Sequence, residues 1–341
     1  MIEPRRRKTR KFKNSASCLC VFVVKIFRMS KTALLFAGQG AQAVGMGRDL
    51  AETFPSARVW FDRANAAVGY DLAAICFNGP EPELTRTENA QPGIFLVSWV
   101  AFQLLKESVP SLQFDATAGL SLGEFTALTA AGAMSFEDGL RVVRQRGRFM
   151  QEACDVTRGG MAAVIGLEEA PTREVCAEAG VVLANLNCPG QLVISGEADK
   201  IAKAVELAKA RGAKRAIALP VAGAYHSPLM ASAQPKLQAE LARVKLSSPS
   251  VLVISNVTGQ AHGGAVEISA RLVDQVTSSV LWEKSMRQLL ADGFTHFIEL
   301  GPGTALSGFM KRIDKNVQML NVADVASLEA TANILNGWLR S

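Results

Sequence analysis

Short apolar runs alternate with longer segments of helical periodicity along most of the chain. The apolar runs predict strands at 32–36, 116–120, 251–255, 295–300 and 317–322. Between them, residues 87–107 predict an amphipathic helix, and Ser135 is placed to cap a helix that runs to Gln151. Pro228 stands at a further helix start. Strands that alternate with helices are typical of an α/β protein with a largely parallel sheet.

One block follows a different order. It begins with a predicted strand at 161–166 and a helix at 170–179. Two strands follow, at 181–187 and 191–195, around a Cys-Pro-Gly turn, and then a helix at 197–211 and a strand at 214–219. The order β-α-β-β-α-β is that of the ferredoxin-like unit. We therefore expect one α/β domain, formed by residues 31–156 and 223–341, with a ferredoxin-like subdomain inserted at 157–222.

The first 30 residues differ from the rest in charge. They contain nine Lys or Arg and one acid, Glu3, so the remaining residues carry a net charge of −2 although the whole chain carries +6. Two interpretations of this tail stay open, a targeting segment and an over-extended start with Met29 as the true initiator. Residues 31–341 do not carry the excess of basic charge that is typical of nucleic-acid-binding proteins, and we expect no nucleic-acid partner.

Composition narrows the class of protein further. The 341 residues, 49% of them apolar, suffice for two domains or for one domain with an insertion. No uninterrupted apolar run approaches the roughly 18 residues of a transmembrane helix, so we expect no membrane partner. The six cysteines form no CxxC pair, which favours reduced thiols, a cytoplasmic protein and no metal site. Organellar import is the alternative if the tail is a targeting segment.

A candidate nucleophile lies at residues 119–123, which read Gly-Leu-Ser-Leu-Gly. This G-x-S-x-G motif follows a predicted strand and opens a helical run, which is the context that such an elbow needs. The tight turn would expose the hydroxyl of Ser121 and direct the main-chain N–H of Leu122 at an incoming carbonyl oxygen. An ordinary turn with a capping serine is the alternative.

A serine nucleophile needs a base, and the chain has three histidines. We favour His226, in GAYHSP, because it lies where the inserted unit ends, and clefts form at such junctions. Its alternative role is to cap the next helix. His262, in the Gly-rich loop GQAHGG, is expected to be solvated, and His296 is expected to be a core or edge residue of its strand.

Arg146 stands out among the four arginines of its helix. The other three, Arg141, Arg144 and Arg148, fall on one face and predict a solvated surface. Arg146 lies on the apolar stripe, where a guanidinium needs a partner, and Gly147 beside it permits close approach. The partner is either a substrate carboxylate or a structural Asp or Glu.

The loop after the first strand is a candidate oxyanion site. Residues 38–42 read Gly-Gln-Gly-Ala-Gln, which is not the G-x-G-x-x-G motif of dinucleotide binding. The main-chain N–H of Gln39 could stand over the sheet edge as a donor.

Six motifs occur together and in order, FAGQGAQAVGMG, GLSLGE, RQRGRFMQEA, NCPGQLVISG, GAYHSPLM and ELGPGTALSGFMKRI. Because it carries these motifs, the chain resembles the malonyl-CoA:acyl-carrier-protein transacylases of type II fatty acid synthesis. The resemblance extends over about residues 32–313. The chain is also similar to the acyltransferase domains of polyketide synthases. The resemblance implies an α/β-hydrolase-like core with a parallel sheet and an inserted ferredoxin-like subdomain.

The resemblance also implies roles for single residues. Ser121 is the nucleophile, His226 the base, and Arg146 the partner of the malonyl carboxylate. The N–H groups of Gln39 and Leu122 form the oxyanion hole, and the main-chain carbonyl of Gln275 orients the histidine. Malonyl passes from malonyl-CoA to the pantetheine thiol of holo acyl carrier protein through a malonyl-serine, in a monomer that uses no catalytic aspartate, cofactor or metal.

Two positions depart from the family pattern, with Leu120 where the family has His and Ala37 where it has Pro. Three other functions stay open: a serine thioesterase or esterase, a non-catalytic binding module, and a stand-alone polyketide-type acyltransferase. Tyr225, beside His226, favours a small malonyl pocket over one for branched acyl groups.

Overall fold

The structure is a computed structural model that describes Met1 and residues 31–338. Both interpretations of the basic tail fall on residues 1–30 and so, Met1 apart, lie outside the described residues. The strands are β1 (Lys31–Phe36), β2 (Ala116–Gly119), β3 (Gly159–Ile165), β4 (Val182–Cys188), β5 (Gln191–Glu197), β6 (Arg215–Ala218), β7 (Leu252–Ile254), β8 (Phe294–Leu300) and β9 (Gln318–Val322).

The helices lie between these strands. They are α1 (Arg48–Thr53), α2 (Pro55–Val68), α3 (Leu72–Asn78), α4 (Glu81–Thr85), α5 (Thr87–Ser108), α6 (Gly123–Ala130), α7 (Phe136–Val156), α8 (Glu169–Ala179), α9 (Ala198–Ala210), α10 (Gln234–Leu241), α11 (Ala265–Asp274), α12 (Trp282–Ala291), α13 (Ala305–Ile313) and α14 (Val325–Trp338). A 3-10 helix, Pro228–Ala233, precedes α10.

The five strands predicted from apolar runs form one parallel sheet in the order β7-β2-β1-β8-β9. Side chains of β1 alternate between its faces, because successive residues of a strand point to opposite sides. Leu34 and Phe36 enter one apolar cluster, whereas Ala33 and Leu35 enter another. Burial on both faces explains why β1 is continuously apolar from Ala33 to Phe36.

The inserted block forms a separate antiparallel sheet in the order β4-β5-β3-β6, and the predicted order of its elements is confirmed. Helices α8 and α9 pack on one face of it. Its other face joins the main core through Met161, Ala184 and Val193. The main chain of β4 also bonds that of Val280, with N–H···O distances of 2.8 and 2.9 Å. The two sheets therefore share a core and a hydrogen-bonded seam.

Two helices refine the sequence prediction. Ser135 caps α7 as expected, since its Oγ accepts from the N–H of Asp138. Helix α5 occupies the predicted span, but its predicted amphipathic character is wrong. It is buried from its first turn to Leu105, because other helices and the parallel sheet surround it. Its polar residues near the N-terminus consequently face the protein interior.

The described cysteines, Cys76, Cys154, Cys176 and Cys188, are buried and free of disulfides. Within the described ranges, none of the helices combines the length and the apolar character needed to cross a bilayer.

Candidate active site

Ser121 lies in a sharp turn between the end of β2 and the start of α6, as the motif predicts. Its backbone is left-handed, with φ of 54°. A Cβ on Gly119 would stand 1.9 Å from the main-chain carbon of Gly123, and one on Gly123 would stand 2.3 Å from the oxygen of Phe36. The two glycines are required because the turn brings main chain against main chain.

The side chain of His226 meets that of Ser121. Its Nε2 lies 2.8 Å from Oγ of Ser121, and its Nδ1 lies 2.9 Å from the main-chain oxygen of Gln275. Because a carbonyl only accepts, Nδ1 carries the proton and the lone pair of Nε2 faces the hydroxyl. Burial, and secondly the cation of Arg146, lower the pKa of His226 to about 4. The imidazole is therefore neutral at pH 7 and can accept a proton.

Arg146 points from α7 into the same crevice and is 1% exposed. Its Nη1 donates to Oε1 of Gln91 at 2.7 Å, and its Nη2 donates to Oγ of Ser121 at 3.0 Å and to Oε1 of Gln275 at 2.9 Å. Its Nε is buried without a partner. Among the described residues no carboxylate pairs with this guanidinium, so the structural ion pair weighed as an alternative is not formed.

Burial lowers the pKa of Arg146 to about 10, and the negative charge of Glu124 opposes that effect. Gly147 allows the close approach, since a Cβ there would lie 2.6 Å from the oxygen of Thr87 in α5. Two of the other three arginines of α7 lie on the predicted solvated face, and the third does not. Arg141 and Arg148 are exposed, and Arg144 stacks half-buried over the ring of Tyr70.

The loop after β1 packs on the elbow. A Cβ on Gly38 would lie 2.6 Å from the oxygen of Leu120. The next residue, Gln39, accepts with Oε1 from Nε2 of Gln91 at 3.2 Å. Among the hydrogen bonds of the described residues, none uses the main-chain N–H of Gln39 or Leu122. Both donors are therefore available to a ligand.

Three polar residues of the site were not found by sequence reasoning, Gln91, Glu124 and Asn256. Oδ1 of Asn256 accepts from the N–H of Ser121 at 2.6 Å, and its Nδ2 donates to the oxygen of Gly119 at 2.8 Å, so Asn256 braces the elbow. A signal existed for Glu124, because it is the one charged residue of the apolar helical run at 122–131. Gln91 carried no such signal, because it follows other polar residues at the start of α5. No local pattern marks Asn256, which follows the short strand β7.

The prediction that His262 is solvated is wrong. Its side chain is fully buried, and its Nε2 lies 2.6 Å from Oε1 of Glu124, which is itself fully buried. A buried carboxylate needs donors, and the Gly-rich loop supplies one from across the fold. His296 is the third residue of β8, an inner strand, where it pairs with Thr32 and Gln318. Its side chain is half-buried, with its ring edge-on to that of Trp338 at 4.6 Å.

Gln275 uses both its main chain and its side chain. Besides accepting from His226 and Arg146, it donates with Nε2 to the oxygen of Ser121 at 3.0 Å and to Oε2 of Glu124 at 2.6 Å. The sequence-predicted residues Ser121, His226, Arg146 and Gln275 thus form one hydrogen-bonded cluster.

Comparison with known proteins supplies the family. The family described as acyl transferase domain matches residues 33–331. The malonyl CoA-acyl carrier protein transacylase of Bacillus subtilis strain 168 is 44% identical over 312 residues, 90% of this chain and 98% of that protein. The chain in the solved structure of the transacylase of that name from Coxiella burnetii is 35% identical, with a TM-score of 0.86 over 89% of this chain and 97% of that one.

A further solved structure shows a malonyl-transacylase in complex with a type II polyketide synthase acyl-carrier protein. It is 36% identical, with a TM-score of 0.86, and covers 89% of this chain and 99% of that one. The match to the family model and the identity to these relatives show that this chain belongs to the acyl transferase domain family, among the malonyl CoA-acyl carrier protein transacylases.

Proposed function

We propose that Ser121 and His226 carry out the reaction of this family as a two-step acyl transfer. The chain transfers malonyl from malonyl-CoA to the phosphopantetheine thiol of holo acyl carrier protein. In the first step Nε2 of His226 takes the proton of Ser121, and Oγ attacks the thioester carbonyl. The tetrahedral intermediate collapses, the C–S bond breaks, and the histidine returns its proton to the leaving CoA thiolate.

The second step runs the same chemistry in reverse. His226 takes the proton of the carrier protein's thiol, and the sulfur attacks the malonyl-serine ester. Collapse of the second tetrahedral intermediate breaks the ester C–O bond, and the proton passes to Oγ of Ser121. The main-chain N–H groups of Gln39 and Leu122, which have no acceptor among the described residues, are the proposed donors to both oxyanions.

One observation carries the choice of a malonyl substrate. Arg146 is a buried cation with an unpartnered Nε, no ion-pair partner among the described residues, and Nη2 at 3.0 Å from the nucleophile. A buried guanidinium without a directly paired carboxylate is costly, and the free carboxylate of a malonyl group supplies that partner. A neutral acyl group would leave the cation unpaired, so the site favours malonyl over acetyl.

Tyr225 supports a small acyl pocket. Its side chain is buried next to His226, and its hydroxyl lies 2.5 Å from Oγ1 of Thr87. A ring held in this way leaves little room for a branched acyl chain. Branched acyl groups are therefore not favoured, while the alternatives of an esterase or a polyketide-type acyltransferase are disfavoured by the relatives named as malonyl CoA-acyl carrier protein transacylases.

The finer description of the fold belongs to the same proposal. The parallel sheet with the elbow at the carboxyl end of β2 supports an α/β-hydrolase-like core over residues 31–156 and 223–341. The β-α-β-β-α-β order and the antiparallel sheet support a ferredoxin-like subdomain at 157–222. A monomeric state and a cytoplasmic location stay predictions from the sequence.

Intact-protein mass spectrometry tests the proposal. We expect one malonyl adduct after mixing with malonyl-CoA, located at Ser121 by peptide mapping, and loss of the adduct when holo carrier protein is added. Ser121→Ala should form no adduct. An adduct on another residue would overturn the assigned nucleophile, and rapid discharge to water without carrier protein would favour a thioesterase.

A further inference from the structure

Glu124 forms the centre of a buried network behind the catalytic pair. It stands three residues after Ser121, in the first turn of α6, and is fully buried. Its Oε1 faces Nε2 of His262 at 2.6 Å, and its Oε2 accepts from Nε2 of Gln275 at 2.6 Å and from the N–H of Asn256 at 3.0 Å. The proposed transfer chemistry uses neither Glu124 nor His262.

The carboxylate decides which way the Gln275 amide points. A carboxylate only accepts, so it selects the NH₂ end of that amide. The oxygen end is then presented to Nη2 of Arg146, which only donates, at 2.9 Å. Had the amide turned over, its NH₂ would face the guanidinium and its oxygen the carboxylate, and both contacts would be repulsive.

The orientation of Gln275 matters to both halves of the active site. Its side chain helps to hold Arg146, and its main-chain oxygen receives Nδ1 of His226 at 2.9 Å. One residue therefore links the proposed carboxylate-binding group to the proposed base. Whatever holds Gln275 also sets the geometry of these two side chains.

We propose that Glu124 and His262 are positioning residues for acyl transfer, with His262 holding the Glu124 carboxylate where it orients Gln275. The inference rests on the proposed function of Ser121, His226 and Arg146. Since the carboxylate is an acceptor, Nε2 of His262 carries the proton and donates it to this hydrogen bond. Its Nδ1 has no partner among the described residues, so Glu124 is the contact that fixes the ring.

The charge of Glu124 adds a second contribution. It favours the charged form of Arg146 against the effect of burial. Glu124 is thus a nearby negative charge that stabilises the guanidinium, with the Gln275 amide between them.

Matched variants separate positioning from stability. His262→Leu removes the donor, whereas His262→Gln keeps an N–H donor near the place of Nε2. His296→Leu is the control, since His296 lies near the amino end of β8, whereas Ser121 follows the carboxyl end of β2 in the same parallel sheet. The side chain of His296 contacts Trp338 and Thr295. The measured quantity is the single-turnover rate constant for formation of malonyl-Ser121 at saturating malonyl-CoA. The rate is divided by the amount of protein that can form the adduct, so that unfolded protein does not lower it. A purely structural role would lower the melting temperature and leave this rate constant unchanged.

For His262→Leu we expect a rate constant about tenfold below that of the unaltered protein, the usual effect of losing one hydrogen bond to a charged group. His262→Gln should stay within about threefold of it, and His296→Leu should match it. If His262→Leu does not fold, Glu124→Gln, which keeps the shape of the side chain, takes its place with the same expected loss.

The outcomes are distinct. If the unaltered protein forms no malonyl-serine, the proposed function fails and this inference with it. If the adduct forms and His262→Leu, or Glu124→Gln in its place, acylates at the unaltered rate, the inference alone is overturned. A His262→Gln variant as slow as His262→Leu would overturn the donor role of the imidazole.

Discussion

Ser121 and His226, whose side chains meet at 2.8 Å, share an unusual backbone conformation. Their φ angles are 54° and 56°, and among the described residues no other non-glycine position has positive φ. A left-handed conformation costs an L-residue about 1–2 kcal/mol, and it persists only where the surrounding structure imposes it. The left-handed turn at each of these two residues directs its side chain toward the side chain of the other residue. The backbone strain is therefore found at the two residues whose side chains are in contact.

This strain predicts a difference between two inactive variants. Ser121→Gly relieves the left-handed conformation, whereas Ser121→Ala keeps it. We expect Ser121→Gly to be the more stable of the two by about 1 kcal/mol, although neither transfers malonyl. Denaturant unfolding measures this difference, and equal stabilities would show that the turn imposes no strain at Ser121.

Removal of the buried cation should change substrate preference. Arg146→Ala loses the proposed charged donors to the malonyl carboxylate, so we expect kcat/KM for malonyl transfer to fall about 100-fold or more. Transfer of acetyl, which has no carboxylate, should fall much less. Arg148→Ala, an exposed change on the same helix, is the control. An equal loss for both acyl groups would argue against carboxylate binding by Arg146.

The dependence of acetyl transfer on pH should show that the imidazole of His226 is neutral down to a pH well below 6.5. Because burial and Arg146 lower the pKa of His226 from 6.5 to about 4, kcat/KM for acetyl transfer should stay level well below pH 6.5 and fall only as the pH drops through the lowered pKa. An acidic limb at the ordinary value of 6.5 would contradict this assignment.

A variant of Arg146 that removes the positive charge should shift the acidic limb of the pH profile to higher pH. Arg146→Ala removes a cation that disfavours protonation of His226, so the pKa should rise and the acidic limb should move to higher pH. Arg146→Lys keeps the charge and should leave the limb nearly in place. Acetyl-CoA is the substrate for both profiles, because it carries no carboxylate of its own. No difference between the two variants would show that the cation does not act on the histidine.

Two glycines should respond in opposite directions to an added methyl group. In Gly123→Ala the Cβ would stand 2.3 Å from the oxygen of Phe36 and 2.8 Å from that of Ala37, which are main-chain atoms of β1 and its end. We expect a loss of about 1–3 kcal/mol in the free energy of unfolding. Gly308→Ala, in an exposed part of α13 with nothing within 4 Å, should gain about 0.5–1 kcal/mol. Chemical denaturation measures both, and a neutral Gly123→Ala would contradict the close packing of the elbow.

The features that could be predicted from the amino-acid order are those that depend on near neighbours. Strand period and apolar runs depend on adjacent side chains, and the elbow at Ser121 depends on glycines two residues away on either side. The cap at Ser135 depends on an N–H three residues later. Such interactions lie within one turn or one strand, so the strands of the parallel sheet and the turn at Ser121 were predicted correctly, whereas the role of Ser121 as nucleophile stays a proposal.

The interactions that escaped prediction join residues far apart along the chain. His262 reads as part of a polar loop, and its burial follows from a carboxylate 138 positions earlier. Asn256 braces an elbow 135 positions before it, and α5 is buried because helices from several parts of the chain close around it. A polar side chain looks the same in sequence whether water or a buried charge will be its partner. That choice depends on which segments the packed core brings together, because only there does an unpaired charge become costly.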